Sequence, residues 1–240
     1  MITKAVLLSL ILLLMVSPQK KARDEGPGCP LPKVIEIGQF HGSEVNAQSG
    51  EEWLGLHISD DGSLLLNYKL TVKTVTDDLR DGPNKKTGKE VSVDLPLEPL
   101  FLVQADGVLK AGGAQTIYDE SDGHLRERQP LKFSFADVTY KLEVVSPTGE
   151  KCDADSLPKN ARLVLSSDNH SQVLYTLEDC GSDPSWYVIW TGDIDSDNKL
   201  DLYVNVTQHY NVSERILFLS STAHDNELVR ELARLVTTGC

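Results

Sequence analysis

The sequence predicts an all-β protein: one or two antiparallel sandwich-like or barrel-like units followed by a short C-terminal helix. Three observations carry this expectation. Twelve short segments alternate apolar with polar residues or are rich in Val, Ile, Tyr and Trp, the pattern of half-buried strands. Clusters of Gly, Pro, Asn and Asp separate them, as turns do. One stretch alone, residues 226–236, carries apolar residues at helical spacing.

Residues 1–16 come first, with Lys4 and then the apolar run Ala5–Val16, and Pro18 follows. Such a run suits the core of a signal peptide and is too short to span a bilayer. Residues 1–22 are therefore expected to be an export signal, and the mature chain to be secreted, periplasmic or otherwise extracellular. An uncleaved N-terminal anchor is the alternative, because Ser17-Pro-Gln-Lys-Lys-Ala22 has no clean small-x-small pattern.

Strands are expected over Val34–Ile37, Trp53–Ile58, Ser63–Val75, Glu90–Leu95, Leu100–Val103, Leu131–Phe135 and Tyr140–Val145. Asp-Asp-Gly62 between two apolar runs is a strong hairpin signal. Ser146-Pro-Thr-Gly149 reads as a boundary, dividing an N-terminal β region, 23–146, from a C-terminal one, 147–240. The second region continues with strands at Ala161–Leu165, Gln172–Leu177, Ser185–Trp190, Asp201–Val206 and Arg215–Leu219. The expected helix places Leu228, Val229, Leu232, Leu235 and Val236 on one face, with Asp225 as N-cap and Gly239 as stop.

The net charge of −13 opposes binding to phosphate backbones and anionic membranes. It suits divalent cations or a basic partner. Four cysteines in an exported chain suggest disulfides. Cys152 and Cys180 lie in turn-like surroundings at the ends of a predicted strand pair, and a bond between them would contribute roughly 3 kcal/mol in the chain-entropy model. Cys29 and Cys240 would then join the ends of the mature chain.

The chemistry concentrates in Trp190-Thr-Gly-Asp193-Ile-Asp195-Ser-Asp197-Asn-Lys-Leu-Asp201-Leu-Tyr-Val204. Aspartates at relative positions 1, 3, 5 and 9 of a tight loop turn hard oxygen ligands toward one cation. The candidate calcium ligands are Asp193, Asp195, Asp197, the backbone carbonyl of Lys199, and Asp201. Position 6, usually glycine, is Asn198, a residue tolerated at positive φ. Position 12 is Val204 within a strand-like segment, whereas an EF-hand places a glutamate there and a helix on either side.

In Trp190, Gly192, Asp193, Asp195, Asp197, Asp201 and Leu202 the loop resembles the calcium loops of FG-GAP and integrin-propeller-type repeats. The resemblance covers about fifteen residues and implies a strand–loop–strand site with a structural Ca2+. A propeller does not follow, because the loop occurs once and a propeller repeats its blade.

No H-E-x-x-H, G-x-S-x-G, Walker loop or dinucleotide fingerprint is present. Asp119–His124 reads as an ordinary acidic turn, with a second, looser cation site as the alternative. His209, Tyr210 and His224 flank one predicted strand and are weighed as a shared site. Asn169, Asn205 and Asn211 open glycosylation sequons. The expected function is a non-catalytic binding or structural protein with a structural calcium site and a protein or glycan partner. An extracellular hydrolase with calcium as a prop, or an acidic inhibitor of a basic enzyme, are the alternatives.

Overall fold

The computed structural model describes residues 31–118, 123–127, 129–146, 157–168, 170–180 and 183–239. The expected signal, Asp119–Asp122, Asn169 and the cysteines Cys29, Cys152 and Cys240 lie outside them. The strands run β1 (Lys33–Ile35), β2 (Gly38–Phe40), β3 (Glu52–Ser59), β4 (Gly62–Val75), β5 (Gly88–Val93), β6 (Phe101–Gln104), β7 (Gly112–Tyr118) and β8 (Gly123–His124). They continue with β9 (Leu131–Phe135), β10 (Val138–Val145), β11 (Arg162–Ser167), β12 (His170–Thr176), β13 (Ser185–Asp193), β14 (Asp201–Thr207), β15 (Val212–Leu219) and β16 (Arg230–Thr238).

The fold is all-β and its named strand pairs are antiparallel. The larger sheet follows the order β1-β6-β3-β4-β7-β13-β14-β15-β16, with β2 and β5 branching from β4 and β8 from β13. Its two ends, β1 and β16, pack against each other, so the sheet is a nearly closed barrel. Glu36, next to β1, bridges this seam: it pairs with Arg215 of β15 and accepts a 2.8 Å hydrogen bond from Tyr203 Oη of β14. The second sheet has the order β12-β11-β10-β9. Strands on either side of residue 146 are hydrogen-bonded within both sheets, through β7 with β13 and through β10 with β11.

Two cores result, one on each face of β13–β15. The first fills the barrel around Trp53, Leu56, Leu65, Phe101, Trp190 and Tyr203. The second lies under the smaller sheet around Phe133, Leu142, Leu163, Trp186, Val204 and Phe218. Serving both is the reason all seven residues of β14 are buried. A bulge makes β13 do the same. Val188 opposes Val204 and Trp190 opposes Tyr203, leaving Ile189 as the extra residue. The extra residue shifts the side-chain phase, so Trp186 and Val188 enter the second core and Trp190 the first. There Phe101 meets Tyr203 at 4.6 Å and Trp190 edge-on at 6.4 Å between ring centroids.

The expected C-terminal helix is not there. Residues 230–238 form β16, paired along β15. The error has a physical source. Leu217 opposes Ala233 and Phe218 opposes Glu231, so Leu232 is an extra residue in a bulge. The bulge lets Leu232, Ala233 and Leu235 all reach the core, and together with Val229 they imitate a helical stripe. Val236, which the helix would have buried, is 46% exposed.

Candidate functional site

The hairpin β13–β14 closes at the Gly192–Asp201 pair and carries the acidic loop between them. Two apolar residues fasten the loop. Ile194 drops into the barrel core and Leu200 into the second core, both 1% exposed. Gly192 allows the close approach of β7 on which the loop rests. A side-chain Cβ at this position would lie 1.9 Å from the Gln115 carbonyl oxygen and 2.4 Å from the Trp190 ring. Trp190 is held in turn by a 2.8 Å hydrogen bond from Nε1 to Thr116 Oγ1.

Within the loop, the backbone folds around the carboxylates. Asp193 accepts hydrogen bonds from the N–H groups of Asp197 (3.2 Å) and Asn198 (2.9 Å). Asp197 accepts from Lys199 N at 2.9 Å. Ser196 and Asn198 take the left-handed turn, at φ 62° and 61°. Asn198 thus occupies the positive-φ position expected of it, and Ser196 is a second such turn that the spacing did not indicate.

Asp193, Asp195 and Asp197 each present one carboxylate oxygen within 4.8 Å of the other two. Three carboxylates so gathered can hold a metal ion. The electrostatics fit a cation. Burial holds the Asp195 carboxyl above the ordinary range, and the charges of Asp197 and Asp193 add to the shift. One Asp195 oxygen, Oδ1, is buried with no hydrogen-bond partner. A cation among the three would replace mutual repulsion with attraction.

The other expected ligands have different surroundings. Asp201 is fully buried, and its carboxylate accepts from Ile194 N (2.9 Å), Ser220 N (2.8 Å) and Ser220 Oγ (2.8 Å). It fastens the loop to the end of β15 and is not part of the cluster of three. Burial first, then the charge of Asp195, pushes its carboxyl up to about 7 against the pull of these hydrogen bonds. The exposed Lys199 ammonium lies 3.9 Å from Asp197 Oδ2.

Two residues that the sequence did not single out complete the site. Ser220 Oγ also lies 3.1 Å and 3.2 Å from the two Asp197 oxygens, and Ser221 Oγ donates to Asp195 Oδ2. They arrive from the end of β15, a placement set by the β14–β15 register and invisible to local spacing. Beside the carboxylates is a cleft of about 390 Å³ walled by Lys110, Gly112, Gly113 and Ser221.

The remaining candidates separate. His209 stacks on Tyr210 at 4.3 Å between centroids, while His224 contacts Arg230. They sit at opposite ends of β15, about 25 Å of strand apart, and form no joint site. Asn205 is 2% exposed, and its Nδ2 donates to Ser185 O at 2.6 Å, so the folded chain offers no room for a glycan there. His124 packs edge-on against Tyr187 at 5.7 Å. Cys180 is disulfide-bonded, and its partner lies outside the described residues. Comparison with family models, with curated proteins and with solved structures finds no match to the chain.

Proposed function

We propose that the loop 193–201 binds one calcium ion and that the protein is an exported, non-catalytic binding or structural protein whose surface the ion rigidifies. The observation that carries the reading is the meeting of Asp193, Asp195 and Asp197, with one Asp195 oxygen buried and unpartnered. Calcium is preferred to magnesium because calcium takes six to eight oxygens in flexible geometry, whereas magnesium demands a near-ideal octahedron and keeps its waters. A loop that supplies three carboxylates and the expected Lys199 carbonyl suits the first. Asp201 then acts as the strut behind the ion.

The loop is tied to both cores through Ile194 and Leu200 and to β15 through Ser220 and Ser221. Ordering it therefore orders the ends of three strands, which is a structural role. Export through the segment 1–22 is part of the proposal. So is the pairing of Cys180 with Cys152, and of Cys29 with Cys240. The partner is a protein or a glycan.

Calcium calorimetry on the intact chain tests the ion. Asp195→Asn keeps the shape and removes the charge, so it is expected to weaken binding by at least about tenfold, equivalent to roughly 1.4 kcal/mol. Unchanged affinity in this variant would remove the loop from consideration. Equal affinity for magnesium would overturn the choice of calcium.

A further inference from the structure

At the barrel seam, the segment following β1 and the end of β16 enclose a cleft of about 410 Å³ that shares no lining residue with the cleft beside the acidic loop. His41, 8% exposed, stands in its wall, with Nδ1 2.5 Å from Oδ2 of the buried Asp77. Asp77 Oδ1 accepts the N–H groups of Leu79 and Arg80, each at 3.2 Å. A carboxylate that only accepts fixes the proton of a neutral imidazole on Nδ1, which leaves Nε2 as the acceptor. Among the described residues Nε2 has no hydrogen-bond partner. The space before it is kept open by Gly239, at φ +133°, where a Cβ would lie 3.3 Å from Nε2.

A purely structural dyad accounts for Nδ1 and leaves Nε2 unused. The surroundings define what Nε2 would meet. Glu36 is engaged by Arg215 and Tyr203, and Glu44 by His41 N and by Thr238. Asp78 also lines the cleft and has no ion-pair partner among the described residues. This acidic wall disfavours anions. Phe40 and Leu79 supply apolar surface. A metal is not indicated, because the acidic loop is the only group of three or more potential ligands among the described residues.

We propose that this cleft is a second ligand site, in which His41 Nε2 accepts a hydrogen bond from the hydroxyl or ammonium group of a small neutral or cationic molecule with an apolar body. Asp77 is the positioning residue that sets the tautomer. The proposal does not depend on the calcium reading.

Benzylamine, benzyl alcohol and benzoate, nearly equal in shape and different in charge, are the probes. Each is titrated into the 15N-labelled full chain while the His41 ring nitrogens are followed by long-range 1H–15N correlation. The amine and the alcohol are expected to move the Nε2 resonance saturably, and benzoate to leave it in place. His41→Asn keeps an amide nitrogen in the place of Nδ1, toward Asp77, and removes the Nε2 acceptor, so it is expected to abolish binding. Should that variant fail to fold, Gly239→Ala leaves the dyad intact and sets a methyl before Nε2. It is expected to weaken binding by roughly tenfold or more. No response of Nε2 to the amine or the alcohol would overturn the proposal. An equal response to benzoate, or unchanged affinity in the variants, would do the same.

Discussion

At the scale of single residues, the acidic side chains fall into two opposite electrostatic classes. Asp195 is held above the ordinary carboxyl range by burial and by the charges of Asp197 and Asp193. In EDTA, Asp195→Asn should therefore raise the melting temperature slightly, while calcium should raise it clearly less than in the unsubstituted protein. A thermal melt of both forms checks this pair of outcomes. Asp77 is the reverse case. Burial pulls its carboxyl upward, but the hydrogen bonds from His41, Leu79 N and Arg80 N outweigh it and leave the carboxyl below the ordinary range. A depressed carboxyl stabilises the fold at pH values above its unfolded value of about 3.9, and that contribution is lost as the pH falls through the folded value. Asp77→Asn should flatten the dependence of stability on pH below about 4, measured by urea unfolding across the acid range. The aspartates of the loop were legible from spacing because all their positions lie within nine residues. His41 and Asp77 are 36 residues apart, and no local pattern joins them.

At the scale of elements, two bulges decide what sequence patterning could reveal. The bulge in β13 sends Trp186 and Trp190 to different cores. The segment still reads as a strand because its apolar residues are aromatic and β-branched. The bulge in β16 disturbs the alternation enough to imitate a helix, in a segment of Glu, Leu, Ala and Arg that has genuine helical propensity. Pairing along β15 overrides that propensity. Far-UV circular dichroism should accordingly show a β spectrum without the helical contribution that a helix over 226–236 would add. The strand β7 escaped notice because it opens Gly-Gly and buries none of its residues fully. Its contact with β13 is nevertheless close, and Gly192→Ala drives a methyl into the Gln115 carbonyl. A loss of about 3 kcal/mol or more is expected in denaturant titration, at the upper end of overpacking effects. A loss below about 0.5 kcal/mol, the range of ordinary surface changes, would contradict the packing of β7 on β13.

At the scale of the whole molecule, the fold class and the strand–loop–strand setting of the acidic loop were legible, whereas the closure of the barrel was not. Closure depends on β1, β6 and β3 meeting in an order that crosses the sequence, and on Glu36 reaching β14 and β15. Local alternation identifies strands and says nothing of their order. Because both sheets contain strands from either side of residue 146, heat should unfold the chain in one cooperative transition, and two resolved transitions in calorimetry would contradict that coupling. The acidic loop joins the two cores at their common strands, so ion binding should be felt by the entire molecule. The most direct measurement is the thermal melt of the protein in EDTA and across a calcium titration. Extracellular calcium modules bind at about 10⁻⁴–10⁻³ M, and a ligand at 100 times its dissociation constant stabilises by about 2.7 kcal/mol. For a chain of this size the predicted rise is about 5–10 °C, and at the same calcium concentration Asp195→Asn, binding at least about tenfold more weakly, should keep about half of that rise or less. No rise up to several times about 10⁻³ M calcium, or the same rise in Asp195→Asn, would contradict the assignment of the loop as a structural ion site.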